Sequence, residues 1–154
     1  MSDISDREPL DSEGKTVMAL SKEENEMLTR VGPGTPAGEM LRRYWQPIGL
    51  AAELQDKPKR RRILGEDVVM FRDDGGRIGV LTLRCMHRGT SLEFGHIENG
   101  GLRCCYHGWL YDVEGKVLET PGEPPASTFK ERIRQPAYRA QELGGVIFVY
   151  MGPE

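Results

Sequence analysis

Along this chain the spacing of hydrophobic positions changes from irregular to helical and then to strand-like. Residues 1–20 are polar and acidic without a regular period, so they cannot bury enough apolar surface to order themselves and are predicted to form a flexible tail. From Ser21 the apolar residues follow helical spacing, and Ser21 is suited to cap a helix that ends within residues 32–34. Thr35, followed by a proline, predicts a second helix that runs through Tyr44.

After Glu53 the pattern changes to short apolar runs separated by turn residues. Residues 68–71 and 78–83 flank the sequence DDGG, which predicts two strands joined by a tight hairpin whose glycines supply positive φ. The run GVIFVYM at 145–151 is apolar on both faces and is expected to be a central strand, paired with residues 135–141. The other predicted features are turns at 99–101 and 114–115, strands beginning near Leu102, Trp109 and Lys116, and one helical turn within 126–132.

Composition favours a fold of strands and turns over one of long helices. At 154 residues the chain suits one domain, and its 19 glycines and 10 prolines indicate many turns. We therefore expect a mainly β protein built on an antiparallel sheet. Its predicted parts are the flexible tail at 1–20, a helical lead-in at 21–55 and a domain at 56–154.

Charge and cysteine content exclude several classes of function. A formal net charge of −3 argues against a nucleic-acid binder, which needs a cationic surplus. The one basic run, KPKRRR at 57–62, is predicted to be a solvated loop entering a strand, with docking of an acidic electron donor as the alternative. No apolar stretch is long enough for a membrane span, and the first residues lack the features of a signal peptide. With three cysteines and no expected disulfide, the sequence predicts a soluble cytoplasmic protein.

Two short segments combine cysteine with histidine: CMH at 85–87 and CCYH at 104–107. In extended backbone residues two apart face the same side, so Cys85 and His87 can face a common centre. Cys104 and His107, three apart around a tight turn, can do the same. Two cysteines and two histidines match the ligands of a Rieske [2Fe-2S] centre, in which histidines replace cysteines on one of the two irons. We assign Cys85 and Cys104 to one iron and His87 and His107 to the other, a site suited to one-electron transfer.

A structural zinc site is the alternative for these four residues. Zinc modules favour ligand pairs sorted by type and separated by two to four residues, whereas both segments here mix the two types. The spacing therefore favours the iron-sulfur interpretation. The remaining cysteine, Cys105, is expected to be a small buried thiol, and His96 is expected to be a solvated or hydrogen-bonded histidine in a loop.

Small and aromatic residues near the four candidate ligands leave two interpretations open. Gly89, Gly95 and Gly108 either let the backbone approach the cluster or only satisfy turn geometry. Trp109 either shields the cluster from water or is an ordinary core residue. For the tryptophan, which opens a strand of a sheet protein, the core role is the more usual one.

The motif C-x-H-x16-C-x2-H, within CMHRGTSLEFGHIENGGLRCCYHGWLYD, resembles the Rieske domain of aromatic-ring-hydroxylating oxygenases of the phthalate-dioxygenase type. The resemblance covers residues 27–154. It implies an antiparallel Rieske-type β-sandwich with cluster-binding hairpin loops and a short N-terminal helical segment. It also implies electron transfer from a reductase or ferredoxin, through the [2Fe-2S] cluster, to a catalytic non-haem iron domain in aromatic hydrocarbon catabolism. By this resemblance His107 is the ligand nearest the electron exit.

Two departures from that family affect the expected function. Cys105 stands where the family usually has proline. The catalytic iron of the family needs two histidines and a carboxylate, and this chain has three histidines, of which only His96 would remain. We therefore expect an isolated or truncated Rieske domain. Respiratory-complex Rieske proteins, which the chain resembles at the four ligands, have cysteines for a loop disulfide where this chain has Thr90 and Tyr106, and this difference implies a low potential within the Rieske range. The alternative is a free-standing Rieske ferredoxin, which the helical segment 27–55 argues against.

Overall fold

The structure, a computed structural model, describes residues 20–153, so the predicted tail lies outside the described residues except for Leu20. The described part contains two α-helices and ten strands joined by turns and three short 3-10 helices. The helices are α1 (Lys22–Thr29) and α2 (Pro36–Leu41). The strands are β1 (Gln46–Leu50), β2 (Lys59–Ile63), β3 (Glu66–Arg72), β4 (Ile78–Thr82), β5 (His96–Glu98), β6 (Gly101–Arg103), β7 (Leu110–Tyr111), β8 (Val117–Glu119), β9 (Ala137–Leu143) and β10 (Val146–Tyr150). The 3-10 helices are Ala51–Glu53, Leu92–Phe94 and Phe129–Arg132, the last confirming the predicted helical turn.

Both helices begin at the predicted caps. The Ser21 hydroxyl accepts a hydrogen bond from the Glu24 backbone N–H at 3.2 Å, and the Glu24 carboxylate accepts one from the Ser21 backbone N–H at 2.9 Å. Thr35 caps α2 in the same way, because its hydroxyl accepts from the backbone N–H three residues ahead. The second helix ends at Leu41 and not at Tyr44 as expected, since the chain turns there into strand β1.

The strands form two antiparallel sheets, which confirms the predicted fold class. The larger sheet has the order β1-β10-β9-β4-β3-β2, and the smaller sheet has the order β5-β6-β7-β8. The predicted hairpin joins β3 to β4, with Phe71 opposite Gly79. Strand β10 is an interior strand as expected, but only its alternate residues Ile147 and Val149 are fully buried, because its other face is partly open.

Strand β3 contributes to two separate hydrophobic cores, because successive side chains point to opposite faces of a sheet. Val68 and Met70 pack into a core formed within the larger sheet, together with residues of β1, β4 and β10. Val69 and Phe71 face the smaller sheet and pack in a second core with Cys85, Cys104 and Trp109 of the two Cys-His segments. The candidate site is therefore attached to the main sheet through a continuous core.

The basic run was predicted as a solvated loop entering a strand, and the strand begins earlier than expected, because residues 59–63 already form the edge strand β2 and only 57–58 precede it as a loop. Asp67 on the neighbouring strand pairs with Arg60 and Arg62, and Glu53 pairs with Arg61. Carboxylates thus compensate the arginine charges, and the long aliphatic stems can cover the sheet edge.

Neither of the two described helices has the length and apolar character that a membrane-spanning helix needs.

Candidate metal centre

The first candidate metal-binding segment, residues 85–90, is a tight turn that follows strand β4 and is called loop 1 below. The Cys85 backbone N–H donates to the Thr90 carbonyl at 2.9 Å, and the Gly89 N–H donates to the Cys85 carbonyl at 2.7 Å. Gly89 has φ of +73°, and a Cβ there would meet no atom within 4 Å. This glycine is therefore required by the geometry of the turn. There is space for a side chain, but a residue with a Cβ would be strained in this left-handed backbone conformation.

The second segment, residues 104–109, is called loop 2 and repeats the same backbone turn between β6 and β7. The Cys104 N–H donates to the Trp109 carbonyl at 2.9 Å, and the Gly108 N–H donates to the Cys104 carbonyl at 3.1 Å. Gly108 again has φ of +73°. The third glycine, Gly95, has a different role. A Cβ there would collide with the backbone of β6, so this glycine lets its own segment pack closely against strand β6 and not against loop 1 or loop 2.

The cysteine sulfurs lie together in a buried position. Cys85 and Cys104 are only 2% and 3% exposed. The hydrogen bond between the two thiols is the largest influence on both groups, lowering the pKa of Cys85 to about 5 and raising the pKa of Cys104. Burial raises the pKa of both thiols, so it partly opposes the lowering at Cys85 and adds to the rise at Cys104.

Each sulfur also accepts hydrogen bonds from the backbone of its own loop. The donors to Cys85 are the N–H groups two and three residues ahead of it, and the donors to Cys104 stand at the same offsets. Cys85 has an additional donor, because the Tyr111 hydroxyl lies 2.9 Å from its Sγ. Burial, followed by this hydrogen bond, raises the pKa of Tyr111, so the phenol stays protonated and donates to the sulfur.

The imidazoles form a second pair. The ring centroids of His87 and His107 are 4.7 Å apart and the planes meet at 65°. His87 is half-buried and stacks on Trp109, with centroids 4.4 Å apart and planes 3° from parallel. His107 is exposed and contacts the ring of Tyr106 at 3.7 Å between centroids. Trp109 is itself only 5% exposed, so it is a core residue and also covers one imidazole.

The four candidate ligands are therefore brought together and sorted by type, with two sulfurs in one pair and two imidazoles in the other. This donor set fits a dinuclear centre in which one iron takes two thiolates and the other takes two imidazoles. Among the described residues, no three histidine, cysteine or acidic side chains converge on a single point. Buried cysteines that already receive backbone N–H donors are suited to hold negative charge on sulfur.

Sequence reasoning missed Arg103, which braces loop 2 from strand β6. Its Nη1 donates to the Gly108 carbonyl at 2.6 Å, its Nη2 pairs with Glu119 at 2.7 Å, and its Nε pairs with Glu98. The guanidinium is only 17% exposed. A single arginine in a short strand gives no sequence signal, because its three acceptors come from separate parts of the chain.

Two predictions near the site have different outcomes. The expectation that Cys105 is a buried thiol is wrong, since the structure leaves it exposed at the tip of loop 2. The cause is the turn itself, which directs Cys104 inward and the next residue outward. His96 is exposed, as expected of a solvated histidine, but it lies in strand β5 and not in a loop.

Comparison with known proteins decides the family. The family described as Rieske [2Fe-2S] domain matches residues 44–130, which is more than half of the chain. This chain belongs to the Rieske [2Fe-2S] domain family. As a Rieske domain it binds a [2Fe-2S] cluster, which confirms the cofactor predicted from the two Cys-His segments.

The relatives of this Rieske domain are oxygenase subunits, which confirms the predicted resemblance. It is 56% identical over 126 residues to the phenoxybenzoate dioxygenase subunit alpha of Ectopseudomonas oleovorans, covering 82% of this chain and 31% of that protein. It is 46% identical over 138 residues to the phthalate 4,5-dioxygenase oxygenase subunit of Pseudomonas putida, covering 88% and 31%. A crystal structure of dicamba monooxygenase matches with a TM-score of 0.66 and 28% identity, over 73% of this chain and 35% of that one. The chain thus spans about a third of the length of the relatives it matches.

Proposed function

We propose that this domain carries single electrons through a cluster held by Cys85 and Cys104 on one iron and His87 and His107 on the other. The observation that supports this ligand set is the sorting of the four side chains into a sulfur pair and an imidazole pair. When bound, a Rieske cluster supplies reversible one-electron exchange. Because both sulfurs already receive backbone N–H donors, the loops are organised for negative charge on sulfur.

The protein surroundings separate a closed side of this site from an open side. Trp109 covers His87, and the buried core residues behind the cysteines exclude water from the sulfurs. His107 is exposed at the surface, so it is the candidate ligand through which an electron leaves or enters. We assign the electron exit to His107 on this difference in exposure.

The named relatives suggest where the electrons go. They are described as oxygenase subunits of dioxygenases and monooxygenases, and this chain covers about a third of each. We therefore infer that a reductase or ferredoxin donates electrons and that a catalytic non-haem iron domain accepts them, in the oxidation of an aromatic compound. The matches of 126 and 138 residues include part of the helical segment before the Rieske core, which favours this role over a free-standing ferredoxin.

Adjacent cysteines allow a strict test of the ligand set. Cys104→Ser removes a candidate ligand, whereas Cys105→Ser changes an exposed thiol one residue away. We expect the unaltered chain and C105S, made in cells that assemble clusters, to hold about two irons and give a Rieske paramagnetic resonance signal after dithionite reduction. We expect C104S and His107→Ala to lose both. A colourless unaltered chain containing zinc, or a Rieske signal retained in C104S, would contradict the assignment.

A further inference from the structure

The ladder between strands β4 and β9 ends in an irregular way just before loop 1. Leu81 and Ala137 are paired, and next along the ladder the Thr82 N–H donates to the Pro136 carbonyl at 2.9 Å. In a regular antiparallel pair the reverse hydrogen bond would come from the N–H of residue 136. Proline has no N–H, so the Thr82 carbonyl needs another donor.

The side chain of Gln135 supplies that donor and has three further polar contacts, with the two hydrogens of its Nε2 shared among three acceptors. Its Nε2 lies 3.0 Å from the Thr82 carbonyl, 2.7 Å from the Thr82 hydroxyl and 2.9 Å from the Arg84 carbonyl, while its Oε1 accepts from the Met86 N–H at 2.8 Å. The residue has no exposed surface. Its orientation is fixed by its partners, since a backbone N–H can only donate and a backbone carbonyl can only accept.

Two of these partners are the peptide groups on either side of a candidate ligand. The Arg84 carbonyl belongs to the peptide bond that precedes Cys85, and the Met86 N–H belongs to the peptide bond that follows it. One planar amide therefore holds both ends of the Cys85 residue, and with them the direction of its side chain. We propose that Gln135 is a positioning residue that fixes Cys85 for cluster binding. The proposal rests on the ligand set given above.

The backbone of Gln135 is fixed from the side of the smaller sheet. Its N–H donates to the Gly115 carbonyl at 2.8 Å, in the turn between β7 and β8. Gly115 has φ of +81°, and a Cβ there would collide with the Gln135 carbonyl. An isolated bridge between Lys116 and Arg134 adds a second link. The amide that holds loop 1 is thus anchored to the sheet that carries loop 2, so it sets one cysteine relative to the other.

A positioning role and a purely structural role predict different measurements. If Gln135 only satisfied buried polar groups, its loss would lower the melting temperature and leave a bound cluster unchanged. If it positions Cys85, its loss changes how firmly the cluster is held and the environment of its iron. The chelator-driven rate of cluster loss and the g-values of the reduced cluster separate the two roles.

The experiment compares Gln135→Leu with two controls in the full chain. Q135L removes all the side-chain hydrogen bonds at similar size, and Gln141→Leu makes the same change at an exposed position of β9. Thr82→Val removes a hydrogen bond of the same amide without touching the peptide groups of Cys85. We expect Q135L to lose its cluster to a chelator roughly tenfold faster than the unaltered chain, with shifted g-values, and both controls to behave like the unaltered chain.

A fourth variant keeps the test decisive if Q135L does not fold. Gln135→Met matches the unbranched shape of glutamine more closely than leucine does and makes none of the four contacts, so its rate of cluster loss should equal that of Q135L. Q135L or Q135M with unchanged g-values and cluster lifetime but a lower melting temperature would overturn the positioning role alone. An unaltered chain without a cluster would instead overturn the ligand set, and this proposal with it.

Discussion

Loop 1 and loop 2 have the same backbone but place their histidines differently. Each has a cysteine at its start, a glycine at φ of +73° four residues later and the same two backbone hydrogen bonds closing the turn. The histidine stands two residues after Cys85 in loop 1 and three residues after Cys104 in loop 2. The same turn therefore places the two cysteine sulfurs in equivalent positions. The histidines stand one residue apart within the turn, so their imidazoles have different surroundings.

The surroundings of the loops differ in exposure and in support. His87 is stacked against Trp109, whereas His107 is exposed. Loop 1 is held by the neutral amide of Gln135, and loop 2 is held by the charged guanidinium of Arg103. The imidazole of loop 1 is therefore the more covered of the two, and the imidazole of loop 2 is the more open one.

Removing either histidine should produce the largest effect and also show how the loops differ. We expect His87→Gly and His107→Gly to lose the cluster signal, since each removes a proposed ligand of the same iron. Added imidazole should restore the signal in H107G, because that position is open to solvent, and should fail in H87G under Trp109. Paramagnetic resonance after reconstitution measures both. His96→Gly, at an exposed histidine of β5, is the control, and equal rescue of the two variants would contradict the assigned difference.

Trp109 links the loops, because it belongs to loop 2 and stacks on the imidazole of loop 1. Trp109→Ala should lower the free energy of unfolding by about 3–5 kcal/mol, since it removes a buried aromatic side chain from the core between the sheets. Denaturant unfolding followed by far-UV circular dichroism measures this change. Trp45→Ala, at a residue that is 40% exposed, should cost much less. Equal losses of unfolding free energy in W109A and W45A would contradict the assigned contribution of Trp109 to the core between the sheets.

Arg103 tests the support of loop 2. Arg103→Met keeps the aliphatic stem but leaves the Gly108 carbonyl without its donor, and should cost about 1–2 kcal/mol of unfolding free energy. The ion pairs to Glu98 and Glu119 add little to this value, because both carboxylates are nearly half exposed and screened by water. Thermal or denaturant unfolding measures the change. Arg134→Met, at an exposed ion pair, is the control, and a loss as large there would argue against a special role for Arg103.

Local patterns in the sequence predicted the helix caps, the β3–β4 hairpin and the four candidate ligands, and the structure brings those four residues together. These features depend on residues close in sequence, such as a cap and the helix it starts. The two Cys-His segments could also be recognised in the sequence, because few metal centres use thiolates and imidazoles together. The segments are separated by 16 residues, so only the fold determines that they come close in space.

The missed features depend on distant parts of the chain. Strand β1 contains Pro47 and Gly49, which disfavour strands, and it exists because it pairs with β10 about a hundred residues later. Strand β2 looked like a loop because its arginines are charged, although Asp67 and Glu53 compensate them. Gln135 gave no signal for the same reason, because its partners lie about fifty residues earlier.

Tyr111 gives the smallest expected effect and distinguishes the two sulfurs. Its hydroxyl donates to Cys85 at 2.9 Å, and the described residues provide no matching side-chain hydroxyl donor to Cys104. A hydrogen bond to a cluster sulfur stabilises the reduced, more negative state. Tyr111→Phe should therefore make the midpoint potential more negative by roughly 40 mV, the equivalent of one ordinary hydrogen bond in a one-electron couple. A redox titration followed by paramagnetic resonance measures the shift.

The control for this prediction is Tyr106→Phe in loop 2. The Tyr106 ring contacts His107, but its hydroxyl has no hydrogen-bond partner within residues 20–153, so removing that hydroxyl should leave the potential unchanged. A shift of equal size in both variants would indicate a general effect of tyrosine hydroxyls near the cluster. A shift confined to Y111F would show that the hydroxyl in contact with the Cys85 sulfur tunes the potential of the cluster.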